Sequence, residues 1–317
     1  MGKYIYITFV AFLLSWVLCK GLIPILKRLK AGQNILVYVK EHEGKSGTPT
    51  MGGIAFILAA IITALCFVRK SDRTFVICIV IGLSYMIVGL LDDYLKRKHK
   101  ENLGLRAWQK FAFQTLIAVF AAIYCYRAGL TTLHIPFVNK MIDISWGILP
   151  LSVFVFLATV NAVNLTDGLD GLAAGTCAPY FAAFGILLFL QNGGQPLSVI
   201  AFSLTGALLA YLMFNVSPAS VFMGDTGSLA LGGFAACIAL FTGNALYVAI
   251  IGVCFVFSVI SVIIQVIYYK ATGGKRVFLM APFHHHLQEK GFSEARISYA
   301  YAVITLLLGG LCLATAF

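Results

Sequence analysis

Ten apolar runs mark the chain at 4–26, 51–68, 74–91, 108–126, 147–164, 171–190, 197–214, 227–242, 245–269 and 297–316. Most are near the ~20 residues a helix needs to cross bilayer hydrocarbon. Their apolar positions follow one another without alternating, which excludes a closed β-barrel and predicts an all-α polytopic membrane protein of about ten transmembrane helices. The ninth run is the longest, so it must tilt, bend or project past the bilayer. Residues 4–26 resemble a secretory leader, yet they are long enough to span and no A-x-A-like site follows; a retained first helix is expected.

Composition agrees with the pattern, since 60% of residues are hydrophobic and only 11% charged, against about 25% charged in soluble domains. No polar stretch outside the runs is long enough for a soluble domain, so residues 1–317 read as one membrane domain. The eight cysteines all fall within predicted spans without a CxxC pair and read as small apolar residues.

Charge orients the spans. With ten spans the loops alternate sides, and five Lys or Arg in 27–50, six in 92–110 and five in 270–296, together 16 of the 23, share one side. The positive-inside rule makes that side cytoplasmic and both termini extracytoplasmic. This accounts for the net charge of +11, with attraction to anionic membrane lipids added. Topology does not require carboxylates, yet all twelve except Asp72 and Asp143 fall on or beside the cytoplasmic segments.

Four segments on that face carry candidate chemistry. Asp92-Asp93-Tyr94 ends the third run and precedes Lys96, Arg97, Lys98 and Lys100. Paired carboxylates can hold a hard divalent cation, and the cations a phosphate; a solvated helix end is the bland alternative. The pair is similar to the start of prenyl diphosphate sites, without their third Asp. The second segment, Asn161 to Gly171, sets Asn164, Asp167 and Asp170 three residues apart, while Gly168 and Gly171 argue for an unwound turn offering carboxylates and backbone N–H groups to a base or ribose. Its Asn164-Leu165-Thr166 matches a glycosylation sequon, discounted on the cytoplasmic side as is Asn215-Val216-Ser217.

The third segment, Asn215 to Ser228, reads as a polar loop with Asp225 between Gly224 and Gly227, where small neighbours let a metal and a phosphate approach closely. A structural turn is its alternative. The fourth is His284-His285-His286; consecutive residues rarely point at one ion, so pairing a phosphate or a substrate hydroxyl is the preferred reading. Neither a Walker loop nor a dinucleotide fingerprint occurs, since Met51-Gly52-Gly53 and Thr272-Gly273-Gly274 lack the flanking residues. ATP-driven work and a nucleic-acid partner are not expected.

Lys45 to Gly53, Asp92-Asp93, Asn161 to Gly171, Phe222 to Ser228 and Pro282 to His286 together resemble the successive signatures of the polyprenyl-phosphate N-acetylhexosamine-1-phosphate transferase superfamily. Lys45 to Gly53, and the His triplet between Pro282-Phe283 and Leu287, most resemble its phospho-N-acetylmuramoyl-pentapeptide transferases. The resemblance runs along essentially the whole chain. It implies that UDP-N-acetylmuramoyl-pentapeptide and undecaprenyl phosphate react with Mg2+ to give lipid I and UMP, at the bacterial inner membrane and in a homodimer.

Carried over by position, the resemblance makes Asp225 the Mg2+ ligand and gives the lipid phosphate to Asp92 and Asp93. Lys45, Thr50 and Lys110 would serve phosphates or sugar. Asn164, Leu165, Asp167, Gly168, Asp170, Asn215, Phe222 and Gln265 would form the uridine and ribose pocket, with Phe222 stacking on the base and His284 and His285 nearby. A phosphate monoester has its second pKa near ~6, so the lipid nucleophile is largely ionised at neutral pH. Direct attack is therefore preferred over a phosphorylated Asp. A transporter or flippase is disfavoured because Lys20 is the only Lys or Arg in the interior of a predicted span, Lys110 standing at the edge of the fourth, whereas coupling sites sit near the midplane. A sister enzyme transferring N-acetylglucosamine-1-phosphate is the nearer rival, against which the Pro282 to Leu287 segment speaks.

Overall fold

The computed structural model describes residues 1–29, 47–68, 72–99, 104–138, 140–192 and 196–314. They form α1 (Gly2–Arg28), α2 (Gly53–Phe67), α3 (Arg73–His99), α4 (Ala107–Arg127), a hairpin of β1 (Thr132–Ile135) and β2 (Lys140–Asp143), α5 (Ile148–Thr166), α6 (Leu172–Asn192), α7 (Pro196–Asn215), α8 (Gly224–Phe241), the short α9 (Tyr247–Ile251), α10 (Val253–Ala271), the short α11 (Phe283–Glu289) and α12 (Glu294–Ala314). Among the described residues, α1, α3, α5, α6, α7, α8, α10 and α12 are long and apolar enough to cross a membrane. The chain is thus a multi-pass membrane protein. The two other expected spans are α2, with 15 residues, and α4, whose first half carries Gln109, Lys110 and Gln114.

The centre of the bundle is α8, in which every residue from Thr226 to Phe241 is buried. A helix that is apolar on all sides needs neighbours all round, and α3, α5 and α2 supply them. Between membrane helices close packing replaces the hydrophobic drive, so small residues mark the crossings. A Cβ at Gly89 would overlap the Asp225 backbone, and one at Gly53 the Gly227 backbone. Those two glycines let α3 and α2 bring their ends against the start of α8. By contrast α10 turns Phe257, Ile260, Ile263, Ile264 and Ile267 outward, which is tolerable where lipid is the solvent.

Alternating helices put the starts of α2, α4, α6, α8 and α12 and the ends of α3, α5, α7 and α10 at one end of the bundle. All the described candidate residues lie at that end. The hairpin lies at the other, pairing Thr132 with Asp143 and Ile135 with Lys140.

Three sequence boundaries are corrected. The third helix does not stop at 91 but continues to His99, because Leu95, Lys96, Arg97 and Lys98 are good helix formers beyond the apolar stretch; Asp92 and Asp93 are helical. Asp225 belongs not to a loop but to the first turn of α8. The ninth run is interrupted at Gly252, between α9 and α10. The fold is all-α as expected, and the hairpin, with strands of four residues, is a short addition whose alternation is too brief to read in the sequence. All eight cysteines are free; seven are buried, and Cys66 is exposed.

Candidate active site

Asp93 sits on α3 with 3% of its surface exposed. Its carboxylate accepts from the Thr226 hydroxyl at 2.7 Å, the Thr226 N–H at 3.0 Å and the Asp225 N–H at 3.2 Å. The first N–H groups of a helix have no partner within it and carry the positive end of its dipole. Asp93 therefore caps α8 from another helix and fixes where Asp225 stands. Thr50, buried beside it, places its hydroxyl 2.7 Å from where a Cβ on Gly224 would be, a contact that keeps residue 224 small.

Asp225 is surrounded by donors. Its Oδ2 accepts from Lys110 Nζ at 2.8 Å and Lys96 Nζ at 2.9 Å, and its Oδ1 from Asn164 Nδ2 at 2.7 Å. Lys110 also donates to Asn164 Oδ1 at 3.3 Å, and Asn164 to Ser228 Oγ at 2.9 Å. Asp92 pairs with Lys96 at 2.6 Å and accepts from the Leu105 N–H at 2.7 Å. Oxygens of Asp92, Asp93 and Asp225 all lie within 4.8 Å of one another.

This donor set fits a divalent cation. Its atoms are hard carboxylate oxygens, the kind Mg2+ takes, and three carboxylates against Lys96 and Lys110 leave an excess of negative charge. Lys96 Nζ, bridging Asp92 and Asp225, stands where a cation would be attracted.

Beside the cluster, α5 ends at Thr166 and the chain turns through 167–171, with Gly171 at φ +73° in the left-handed region that glycine adopts freely. Asp167 is held well above the usual carboxylate range, by burial first and then by Asp225, Asp93 and Asp170. Asp170 accepts from the Ala219 N–H at 3.0 Å, and Asn215 accepts from the Gly171 N–H at 3.2 Å while donating to Val221 O at 2.9 Å. Asp170 and Asn215 thus fasten this turn to the loop before α8. Leu165, Gly168 and Phe222 are partly exposed along that face, and Phe222 is tied to residues 49–52 by backbone hydrogen bonds to Pro49 and Gly52.

The three histidines diverge. His284 is fully buried, with neither ring nitrogen hydrogen-bonded, and burial, then His285, pushes it down to about 3. Its Nε2 and that of His285 crowd the position a Cβ on Gly168 would take. His285 Nδ1 lies 3.0 Å from Gln288 Oε1, whereas His286 Nδ1 accepts from the Leu279 N–H at 3.1 Å and holds the preceding loop.

The structure therefore brings Thr50, Asp92, Asp93, Lys110, Asn164 and Asp225 together, with Leu165, Asp167, Gly168, Asp170, Asn215, Phe222, His284 and His285 alongside. Asn164 lies with the carboxylates rather than with the turn. Gln265 does not join them: its Oε1 accepts from Val277 and Phe278 N–H groups and its Nε2 donates to Phe278 O, so its amide is taken up by the loop after α10. Lys45 lies outside the described residues. Ser228, Gln288 and Glu294 are not individual candidates in the sequence, and Lys96 is named there only as one of the cations that follow Asp92-Asp93. Only Lys96 left a signal, four residues after Asp92 on one helical face.

Residues 74–243 match the model of glycosyl transferase family 4, and residues 45–57 match phospho-N-acetylmuramoyl-pentapeptide-transferase signature 1. The chain is 46% identical over 304 residues to the phospho-N-acetylmuramoyl-pentapeptide-transferase of Geobacillus kaustophilus, an alignment covering 94% of this chain and 93% of that one. It is 45% identical to the protein of that name from Bacillus subtilis, over 96% and 93% of the two chains, and 44% identical to that from Clostridium botulinum strain Eklund 17B, over 94% and 91%.

Proposed function

The chain belongs to the phospho-N-acetylmuramoyl-pentapeptide-transferase family, and from that membership we propose that it moves phospho-N-acetylmuramoyl-pentapeptide from UDP to undecaprenyl phosphate, giving lipid I and UMP at the cytoplasmic face of the bacterial inner membrane. The observation that carries this reading is the cluster itself. Three carboxylates and two lysines meet at the end of a membrane bundle, where a soluble anionic sugar nucleotide and a lipid phosphate can both arrive.

An oxygen of the lipid phosphate forms the new bond to the β-phosphorus, and the bond from that phosphorus to the UMP oxygen breaks, UMP leaving with the electron pair. Such a transfer rests on in-line positioning and neutralisation of charge rather than on covalent help from the protein. Asp225, with Asp92 beside it, would hold Mg2+, which when bound offsets the charge developing on the phosphates. Lys110 and Lys96 add fixed positive charge. Asp92 orients the lipid phosphate and takes any proton it still carries. What supports Asp92 over Asp93 in that role is that Asp93 has three donors of α8 to satisfy. The turn at 167–171 and the partly exposed Phe222 receive the uridine.

The test is UMP release by purified protein given undecaprenyl phosphate and a panel of UDP-sugars. UDP-N-acetylmuramoyl-pentapeptide should support turnover and UDP-N-acetylglucosamine should not. Preference for the latter would overturn the reading.

A further inference from the structure

Gln288 is buried between two polar neighbours, with 7% of its surface exposed. Its Nε2 faces Glu294 Oε1 at 3.5 Å and its Oε1 faces His285 Nδ1 at 3.0 Å. The other Glu294 oxygen accepts from the Asp170 N–H at 2.9 Å, which ties the start of α12 to the turn at 167–171. A carboxylate accepts hydrogen bonds and donates none, so only the NH2 end of the amide can face Glu294. That leaves the amide oxygen for His285, and an oxygen that only accepts requires a proton on Nδ1. In a neutral imidazole the other nitrogen then bears the lone pair, and Nε2 of His285 lies 3.0 Å from where a Cβ on Gly168 would be.

We infer that Glu294 and Gln288 are positioning residues that lock His285 in its Nδ1–H tautomer, so that it meets a ligand beside Gly168 as an acceptor. Gln288 and Glu294 act through His285. The group recognised is an N–H or O–H donor, and only its identification as part of the nucleotide rests on the proposed function.

Solid-state 15N NMR of the full-length protein in liposomes, labelled at its six histidines, reads the tautomer whether or not the protein turns over. The His285→Gln spectrum identifies the residue by difference. At mildly alkaline pH, His285 should show a protonated Nδ1 and an unprotonated Nε2. Glu294→Gln keeps an acceptor for the Asp170 N–H but lets the Gln288 amide turn over, so the exclusive Nδ1–H signature should be lost. Gln288→Met should lose it as well, while Gln288→Glu, whose carboxylate can only accept, should retain it. The signals of the other five histidines report the fold in each variant. A wild-type His285 protonated on Nε2, or an Nδ1–H signature that persists in both Glu294→Gln and Gln288→Met, would overturn the inference; in that case UMP release could still proceed, and the proposed function would stand.

Discussion

Lys110 Nζ lies 2.8 Å from Asp225 Oδ2 and 3.3 Å from Asn164 Oδ1, so one residue in the first turn of α4 reaches the end of α5 and the start of α8. Three helices converge on one carboxylate. Asp225→Asn keeps the shape of that side chain but removes its charge, and loss of a group that neutralises the transition state should lower turnover at least ~100-fold. Thermal unfolding in detergent should remain cooperative. A folded Asp225→Asn protein that keeps most of its activity at unchanged Mg2+ would contradict the role given to Asp225.

Asp92 and Asp93 are neighbours in sequence with separate predicted consequences. Asp93→Asn weakens charge-assisted bonds to the start of α8 and should cost about 1.5–3 kcal/mol of stability. Asp92→Asn weakens one backbone bond, from Leu105, and the Lys96 pair rather than three donors of α8, so it should cost less stability while lowering activity. Denaturation curves and UMP release on the two variants decide this; equal stability losses would refute the division.

How far these roles were legible from sequence follows from the physics of each signal. The apolar runs gave the helices, because a spanning helix must be apolar over its whole length. The helical extension to His99 was hidden, since hydropathy ends where the bilayer ends and the helix does not. The start of α8 at Gly224 was hidden because its N-terminal cap comes from Asp93, 132 positions away from the Asp225 N–H it receives. Gln265 looked like a pocket residue by position, yet its amide closes a loop. Glu294 gave no sign, because its partners Asp170 and Gln288 lie on different elements.

His284 makes stability depend on pH in a defined direction. Its pKa is about 3 in the fold, from an ordinary value of 6.5, so between those values the unfolded chain binds the proton and the folded one does not. Stability should therefore be full above ~6.5 and fall as pH drops toward 3, by up to about 1.4 kcal/mol per pH unit. His284→Gln should flatten the slope of unfolding free energy in that window. An unchanged slope would show that another group sets it.

The positive-inside reading places residues 270–296 in the cytoplasm and the hairpin outside. In a Cys-free background, Lys275→Cys should resist an impermeant thiol reagent applied to intact cells, whereas Lys140→Cys, at an exposed position of the hairpin, should react. The reverse pattern would put the carboxylate cluster on the wrong side for a cytoplasmic substrate.

The proposed function rests on direct transfer of the β-phosphorus from nucleotide to lipid at the Asp225 cluster. It is tested most directly with UDP-N-acetylmuramoyl-pentapeptide labelled at the β-phosphorus, incubated with purified protein and Mg2+, with and without undecaprenyl phosphate. With lipid, the label should move into the organic phase as unlabelled UMP is released. Without lipid, in a preparation free of endogenous polyprenyl phosphate, no label should remain on the protein and added UMP should not exchange into the substrate. Label retained on the protein, or UMP exchange without lipid, would contradict direct attack and assign the first step to an aspartyl nucleophile.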